Sequence, residues 1–342
     1  MKRINRYKLT AIALLFACAM AMAQFEEEKT FDKAVAAASD VKINIQNKHG
    51  NISINSWQKD SVVVHAVISG RSKSLEKLQS AMITTEVNFK NSGDNISITT
   101  GANMSTFDRS INEIKSVAGL NDINIDYEIS LPIGARLSVS NRYGDIYLDK
   151  HNGELNIELS HGNLRADELK RINYFKSNFG NIYISNIETM DGNLLFSDLE
   201  IEKCGELNVS SKSTSYEIEE IETMTIRSSN DKIDIDEIGS FTINGSLSKV
   251  TIDQLKAEMD ANLNYGKVRV KKVEAEASTI NLFSNRTTFD LTFDSSISFN
   301  KSGNCENCTI TNGEILDSRS AGKDGKSLAL RYNCQKTKLY FR

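Results

Sequence analysis

Proline is almost absent: Pro132 is the only one in 342 residues. That excludes collagen-like chains and proline-rich linkers, while 39% apolar residues leave enough material for a sizeable core. An excess of one charge is lacking as well, since 41 basic and 45 acidic residues give a net charge of −4. Loss of the first 23 residues, which hold Lys2, Arg3, Arg6 and Lys8, would bring this to −8 and disfavours nucleic acid and anionic membranes as partners. Histidine occurs four times, at His49, His65, His151 and His161, never at a recognisable spacing from a serine or cysteine nucleophile. No catalytic motif rises above background, so the sequence predicts neither an enzyme nor a resident cofactor.

Long apolar runs are confined to the start. A basic opening, an apolar run from Leu9 to Met22 and the small-x-small triplet Ala21-Met22-Ala23 read as an export signal over residues 1–23, cleaved before Gln24. Leu15-Phe16-Ala17-Cys18 offers a rival reading with lipidation at Cys18, although Phe16 is bulky for such a box and no polar linker follows. Either route exports the chain, to the periplasm, the outer-membrane surface or the medium. No later stretch is apolar enough to span a bilayer. Seven Asn-x-Ser/Thr sequons from Asn51 to Asn307 read as by-products of Asn- and Ser-rich turns, because the signal is bacterial in style.

Self-similarity carries most of the information. Tyr-Gly-Asp-Ile-Tyr-Leu stands at 143–148, His-Gly-Asn-Leu-Arg-Ala at 161–166 and Phe-Gly-Asn-Ile-Tyr-Ile at 179–184. Gly144, Gly162 and Gly180 are 18 apart, and Ser197, Thr214, Asp231, Ser248 and Gly266 continue the register at steps of 17 or 18. Two and four residues after each anchor the chain is apolar throughout, from Ile146 and Leu148 to Val268 and Val270. Alternation with period two means strands. A third apolar position recurs seven after the anchor, with His151 as the exception, so each unit is two short strands and a corner.

One unit cannot stand alone: its few inward side chains, at about 1.5–3 kcal/mol each, do not offset backbone ordering of about 1–2 kcal/mol per residue. Stacking of copies is required. The fold expected is all-β, a single-stranded parallel β-solenoid of 17–18-residue coils, filled by its own side chains. Residues 141–300 would form the repeats and 24–140 an N-terminal coil and β-rich capping section. That section should hold strands at 61–68 and 95–100, a helix near Ser74–Met82 and another around Phe107, Ile111 and Ile114. Residues 301–342 would be the second cap, with a flexible loop at 318–326 and a closing strand pair at 327–331 and 338–341.

Three clusters are candidate sites. The residues before the anchors, Tyr143, His161, Phe179, Phe196 and later Tyr265, would stack as a ladder. Facing out, it would be a carbohydrate platform, but such ladders more commonly lie inside the turn, and that is the expectation here. Outward acids Glu200, Glu202, Glu217, Glu219, Asp234 and Asp236 would form a repelling stripe that Ca2+ could relieve, although nearby lysines already explain most such stripes. Cys204 falls on an inward position, while Cys305, Cys308 and Cys334 should yield one structural disulfide, with Cys334 the partner of either neighbour.

The Gly-Asn-Ile-Ser-Ile and Tyr-Gly-Asp-Ile-Tyr-Leu strings, the Tyr127–Ala135 segment and the closing Leu328-Ala329-Leu330 strand resemble a bacterial family of secreted "putative adhesin" domains of unknown function. The resemblance covers about 41–342 and implies a β-solenoid at the cell envelope with adhesion as its role and no catalytic residues. It also leaves open an envelope scaffold or a partner of envelope-signalling operons. A polysaccharide lyase or glycosidase on a β-helix would need a groove built by long loops, and the constant step from 144 to 266 leaves no coil with one.

Overall fold

The computed structural model describes residues 24–102, 123–320 and 327–342. Its centre is a stack of long strands: β9 (Ile146–Ser160), β10 (Leu164–Asn178), β11 (Asn181–Leu195), β12 (Asp198–Lys212), β13 (Ser215–Ser229), β14 (Lys232–Ser246) and β15 (Lys249–Asn264). Each pairs in parallel with the next, so that Ile201, Ile218 and Ile235 lie directly over one another. The chain is a parallel β-solenoid.

A single coil shows why this sequence winds. In β12 the inward residues Leu199, Ile201, Cys204, Leu207, Val209 and Ser211 are all buried. Steps of two keep the strand straight, while the steps of three at 201–204–207 turn it without interrupting its pairing. The predicted two strands and corner are therefore one bent strand per coil. His151, the exception in the apolar row, is nonetheless buried at 1% exposure.

Before the regular coils, β1 (Phe25–Ala36), β2 (Lys42–Asn47), β3 (Ile52–Trp57) and β4 (Ser61–Ser72) precede helix α1 (Leu75–Thr84). Then come β5 (Thr85–Asn91), β6 (Asn95–Ala102), β7 (Ile123–Pro132) and β8 (Arg136–Arg142). Spatial order departs from chain order here. The β2–β3 coil lies between β6–β7 on one side and β8–β9 on the other, all parallel. Antiparallel β5, β4 and β1 cover the outside. The predicted helix exists: Ser74 caps it by accepting from Lys77 N–H at 3.4 Å, and Leu78, Ala81 and Met82 are buried. The second expected helix, at Phe107–Gly119, lies outside the described residues, as do the export signal and Cys18.

After the coils come β16 (Lys267–Val273), β17 (Thr279–Asn285), β18 (Thr288–Phe293), β19 (Phe299–Glu306), β20 (Thr309–Thr311), α2 (Glu314–Ser318), β21 (Leu328–Gln335) and β22 (Lys338–Phe341). The closing strand pair forms, but it does not close the stack. β21 sits between β17 and β19, and β22 between β18 and β20. Both ends of the column are thus sealed by the same device, a strand pair tucked one coil inward.

Candidate functional site

Where one coil passes to the next, the chain makes a tight turn with positive φ at Tyr143 (60°), His161 (53°), Phe179 (58°) and Phe196 (51°). The same conformation recurs at Ser213, Asn230, Leu247 and Tyr265, so it belongs to the turn and not to the aromatics. It is costly for a side chain, by roughly 1–2 kcal/mol. The stacking backbone enforces it: Tyr143 N–H donates to Ser160 O, His161 N–H to Asn178 O and Phe179 N–H to Leu195 O, each at 3.0 Å.

The anchor residue next in sequence fills the inner side of this turn. A Cβ on Gly162 would meet Gly144 O at 2.1 Å, because the coils press backbone on backbone there. Where the glycine is replaced, Ser197, Thr214, Asp231 and Ser248 are buried and bond to one another's coils. Asp231 accepts from Ser211 Oγ and Ser228 Oγ, both at 2.7 Å, and from Thr214 N–H at 2.8 Å. No inner space remains for a ring, so the expected inward ladder is corrected: the rings point out. Tyr143 is 47% exposed, Phe179 52% and Phe196 48%.

They form one continuous stack. Ring centroids step by 5.2 Å from Tyr143 to His161, 5.0 Å to Phe179 and 5.1 Å to Phe196, with planes within 11° of parallel. His49, which also precedes a turn glycine, extends the stack below Tyr143 at 5.2 Å. It was legible as the residue before Gly50, but only the inserted β2–β3 coil brings it under a residue 94 positions away. Burial, helped by Lys48, holds the His49 imidazole below its ordinary pKa. Rings in contact at about 3.5–4.0 Å whose centroids step by about 5.1 Å lean roughly 40–45° from the column axis. Each therefore shows an edge and a strip of face. Tyr265 is 51% exposed but stands apart, under Arg286 at 5.4 Å.

A polar row runs beside the rings. Asn51 Oδ1 accepts from Asp145 N–H (2.9 Å), Asp145 Oδ1 from Asn163 N–H (2.8 Å) and Asn163 Oδ1 from Asn181 N–H (3.1 Å). This Asx ladder explains the Gly-Asn and Gly-Asp motifs. Outward of it stand Tyr147, Arg165 and Tyr183 in register, with the Arg165 guanidinium 5.3 Å from the centre of the Tyr183 ring.

The acidic stripe is distributed over three coils. Glu200, Glu217 and Asp234 are register neighbours, but Asp234 lies 2.5 Å from Lys232 Nζ. Burial pushes its carboxyl up, yet Lys232, Thr251 and Lys249 together hold it below the usual range. Glu202 bonds Tyr183 Oη, which raises that phenol. Glu219 and Asp236 are exposed one row further on. Among the described residues no three His, Cys, Asp or Glu groups converge to hold a metal ion. An open concavity of about 820 Å³ at the bend includes Glu168, Glu220 and Lys203, whose charges are already paired as Lys150–Glu168 and Lys203–Glu220.

The cysteines depart from expectation in one respect. Cys305 bonds Cys308, and Cys334, expected as a partner, is a buried free thiol. It lies on β21 with Cys305 of β19 as its neighbour in register, but the turn at Asn307 (φ 54°) brings Cys308 back beside Cys305 within one coil. Burial raises the Cys334 thiol, and burial with Glu206 and Glu222 pushes Cys204 up to about 12, so neither is a reactive thiolate. His151 Nε2 faces Ala135 O at 2.8 Å, which places its proton there and lets Nδ1 accept from Ser56 Oγ at 3.1 Å. His151 is buried in the corner of the coil, while Ser56 is half-buried.

No family model and no curated protein matches the chain. Similar solved structures include a Clostridium sporogenes protein described as a putative cell adhesion protein (11% identity, TM-score 0.20, covering 92% of this chain and 99% of that one). Two from Parabacteroides distasonis are described as a putative lipid binding protein (10%, TM-score 0.34) and a putative adhesin (8%, TM-score 0.30), each covering 92% of this chain and 97% of theirs. Likeness at this level carries no weight in the functional argument, which rests on the geometry above. No helix among the described residues is long and apolar enough to cross a membrane.

Proposed function

We propose that this chain is an exported, non-catalytic binding protein of the adhesin type, and that its ring ladder is the surface that engages carbohydrate. The observation that carries the reading is the solvent exposure of a continuous aromatic stack. A folding chain covers such a stripe unless something else does, and aromatic rings beside hydrogen-bonding groups suit sugars, which have apolar C–H faces and hydroxyl rims. Export is supported by the signal-like sequence of residues 1–23, with the periplasm, the cell surface and the medium all compatible with it. A non-catalytic role is supported by the constant step of the coils from 144 to 266, which leaves no loop there to wall a cleft. Calcium along the acidic stripe is not part of the proposal.

The test is binding of the purified mature chain to a glycan array and to whole bacteria, beside Tyr143→Ala and Phe179→Ala. Glycan binding that weakens about two- to tenfold in each variant is the expected result. Undiminished binding by both variants overturns the reading.

A further inference from the structure

Resting on that reading, we infer that the ligand is a linear, β-1,4-linked polysaccharide lying along the column axis with one sugar per coil. The rings form a straight file, His49 to Phe196, with steps of 5.0–5.2 Å. This step is close to the ~4.7–4.9 Å spacing of neighbouring strands that sets the coil-to-coil distance. An extended β-1,4-linked chain advances by nearly the same distance per sugar. Its sugars alternate in orientation, and both faces of an all-equatorial pyranose carry axial hydrogens, so every sugar can rest on a ring.

Other polymers fall out of step. A β-strand repeats on one face every ~6.6–6.8 Å and would lose register within two or three coils. A nucleic acid strand advances ~3.4 Å per phosphate and meets a chain of net charge −4. The flanks are neutral in the middle of the file and charged at its ends, with Lys48, Arg142 and Asp145 at the lower rings and Asp198 at Phe196. Beside the two central rings, His161 and Phe179, stand Ser160, Asn163, Asn178 and Asn181, hydroxyls and amides only. The Asx row repeats with the same step as the rings, so each sugar meets a carboxamide or, beside Tyr143, the Asp145 carboxylate. The file has a defined upper end. The next two turn positions are Ser213 and Asn230, bonded to each other at 3.1 Å.

Calorimetric titration of the mature protein with β-1,4-linked glucose and N-acetylglucosamine oligomers of two to seven units tests this. Affinity should rise by about two- to tenfold per sugar up to the fifth and then level off. Phe196→Ala, at the end of the file, should move the plateau to four sugars, and Phe179→Tyr, which keeps the stack, should leave it at five. Affinity independent of length, or equal affinity for α-linked and branched oligomers, overturns the linear alignment while leaving a carbohydrate platform standing. Binding to a protein partner with no response to any glycan overturns both.

Discussion

Replacing Phe179 separates what the ring contributes from what its backbone costs. The ring stacks on His161 at 5.0 Å and 3° and on Phe196 at 5.1 Å and 5°. Two stacking contacts at about 0.5–1.5 kcal/mol each make Phe179→Ala destabilising by about 1–3 kcal/mol. Alanine inherits the positive φ of 58°, so it relieves nothing. Phe179→Gly loses the same contacts but releases strain of about 1–2 kcal/mol, against an unfolded-state entropy cost of about 0.4–1 kcal/mol. The glycine variant should therefore be the more stable of the two by about 0.5–1 kcal/mol. Ser213 has φ 53° and no ring to lose, only the exposed hydrogen bond it accepts from Asn230 Nδ2, so Ser213→Gly should stabilise the native chain by less, at most about 0.5 kcal/mol. Urea unfolding by circular dichroism, with amide exchange near 178–180 to register local opening, measures all three. A Phe179→Ala variant as stable as the parent, or a destabilised Ser213→Gly, would refute the idea that stacking offsets turn strain.

Further outcomes follow from the interior. Gly162→Ala, whose new methyl would lie 2.1 Å from Gly144 O, should lower stability by more than about 3 kcal/mol, read as a collapsed melting temperature. Asp231→Ala strands the Ser211 and Ser228 hydroxyls and the Thr214 N–H and should cost about 2–5 kcal/mol in denaturant titration. Burial holds His151 below its ordinary 6.5, so the unfolded chain takes up the proton first. Its contribution is full above pH 6.5 and is lost progressively as the pH falls below that value and through the lower pKa of the folded state, and His151→Gln should flatten this part of the stability–pH curve. Reducing Cys305–Cys308, which closes a very short loop, should cost no more than about 1–2 kcal/mol, while alkylation of Cys334 should require denaturant.

The coils were legible because stacking repeats one constraint many times. Ile201, Ile218 and Ile235 each need the same neighbour above and below, and that need is written as a period of 17–18. The direction of the rings was not legible. Sequence places Phe179 beside the anchor but does not show that the inner side of the turn is filled by backbone, with Gly180 under Ser197. The order of the end strands was hidden for a related reason. β2 pairs with β6 and β8, and β22 with β18 and β20, and no local pattern distinguishes a strand at the edge from one a layer inside. His49 shows both limits: its motif is visible, and its stacking partner depends on a long-range insertion.

That insertion also governs how the molecule comes apart. A spiral whose last winding is its outermost peels from the tip, each lost winding baring the next. Here the final residues, Phe341 among them with no exposed surface, are gripped from above and below. Removing them takes out a keystone: β20 loses its seat, and a raw edge opens on β18. Strand β22 is consequently a poor starting point for proteolytic trimming or for mechanical unravelling.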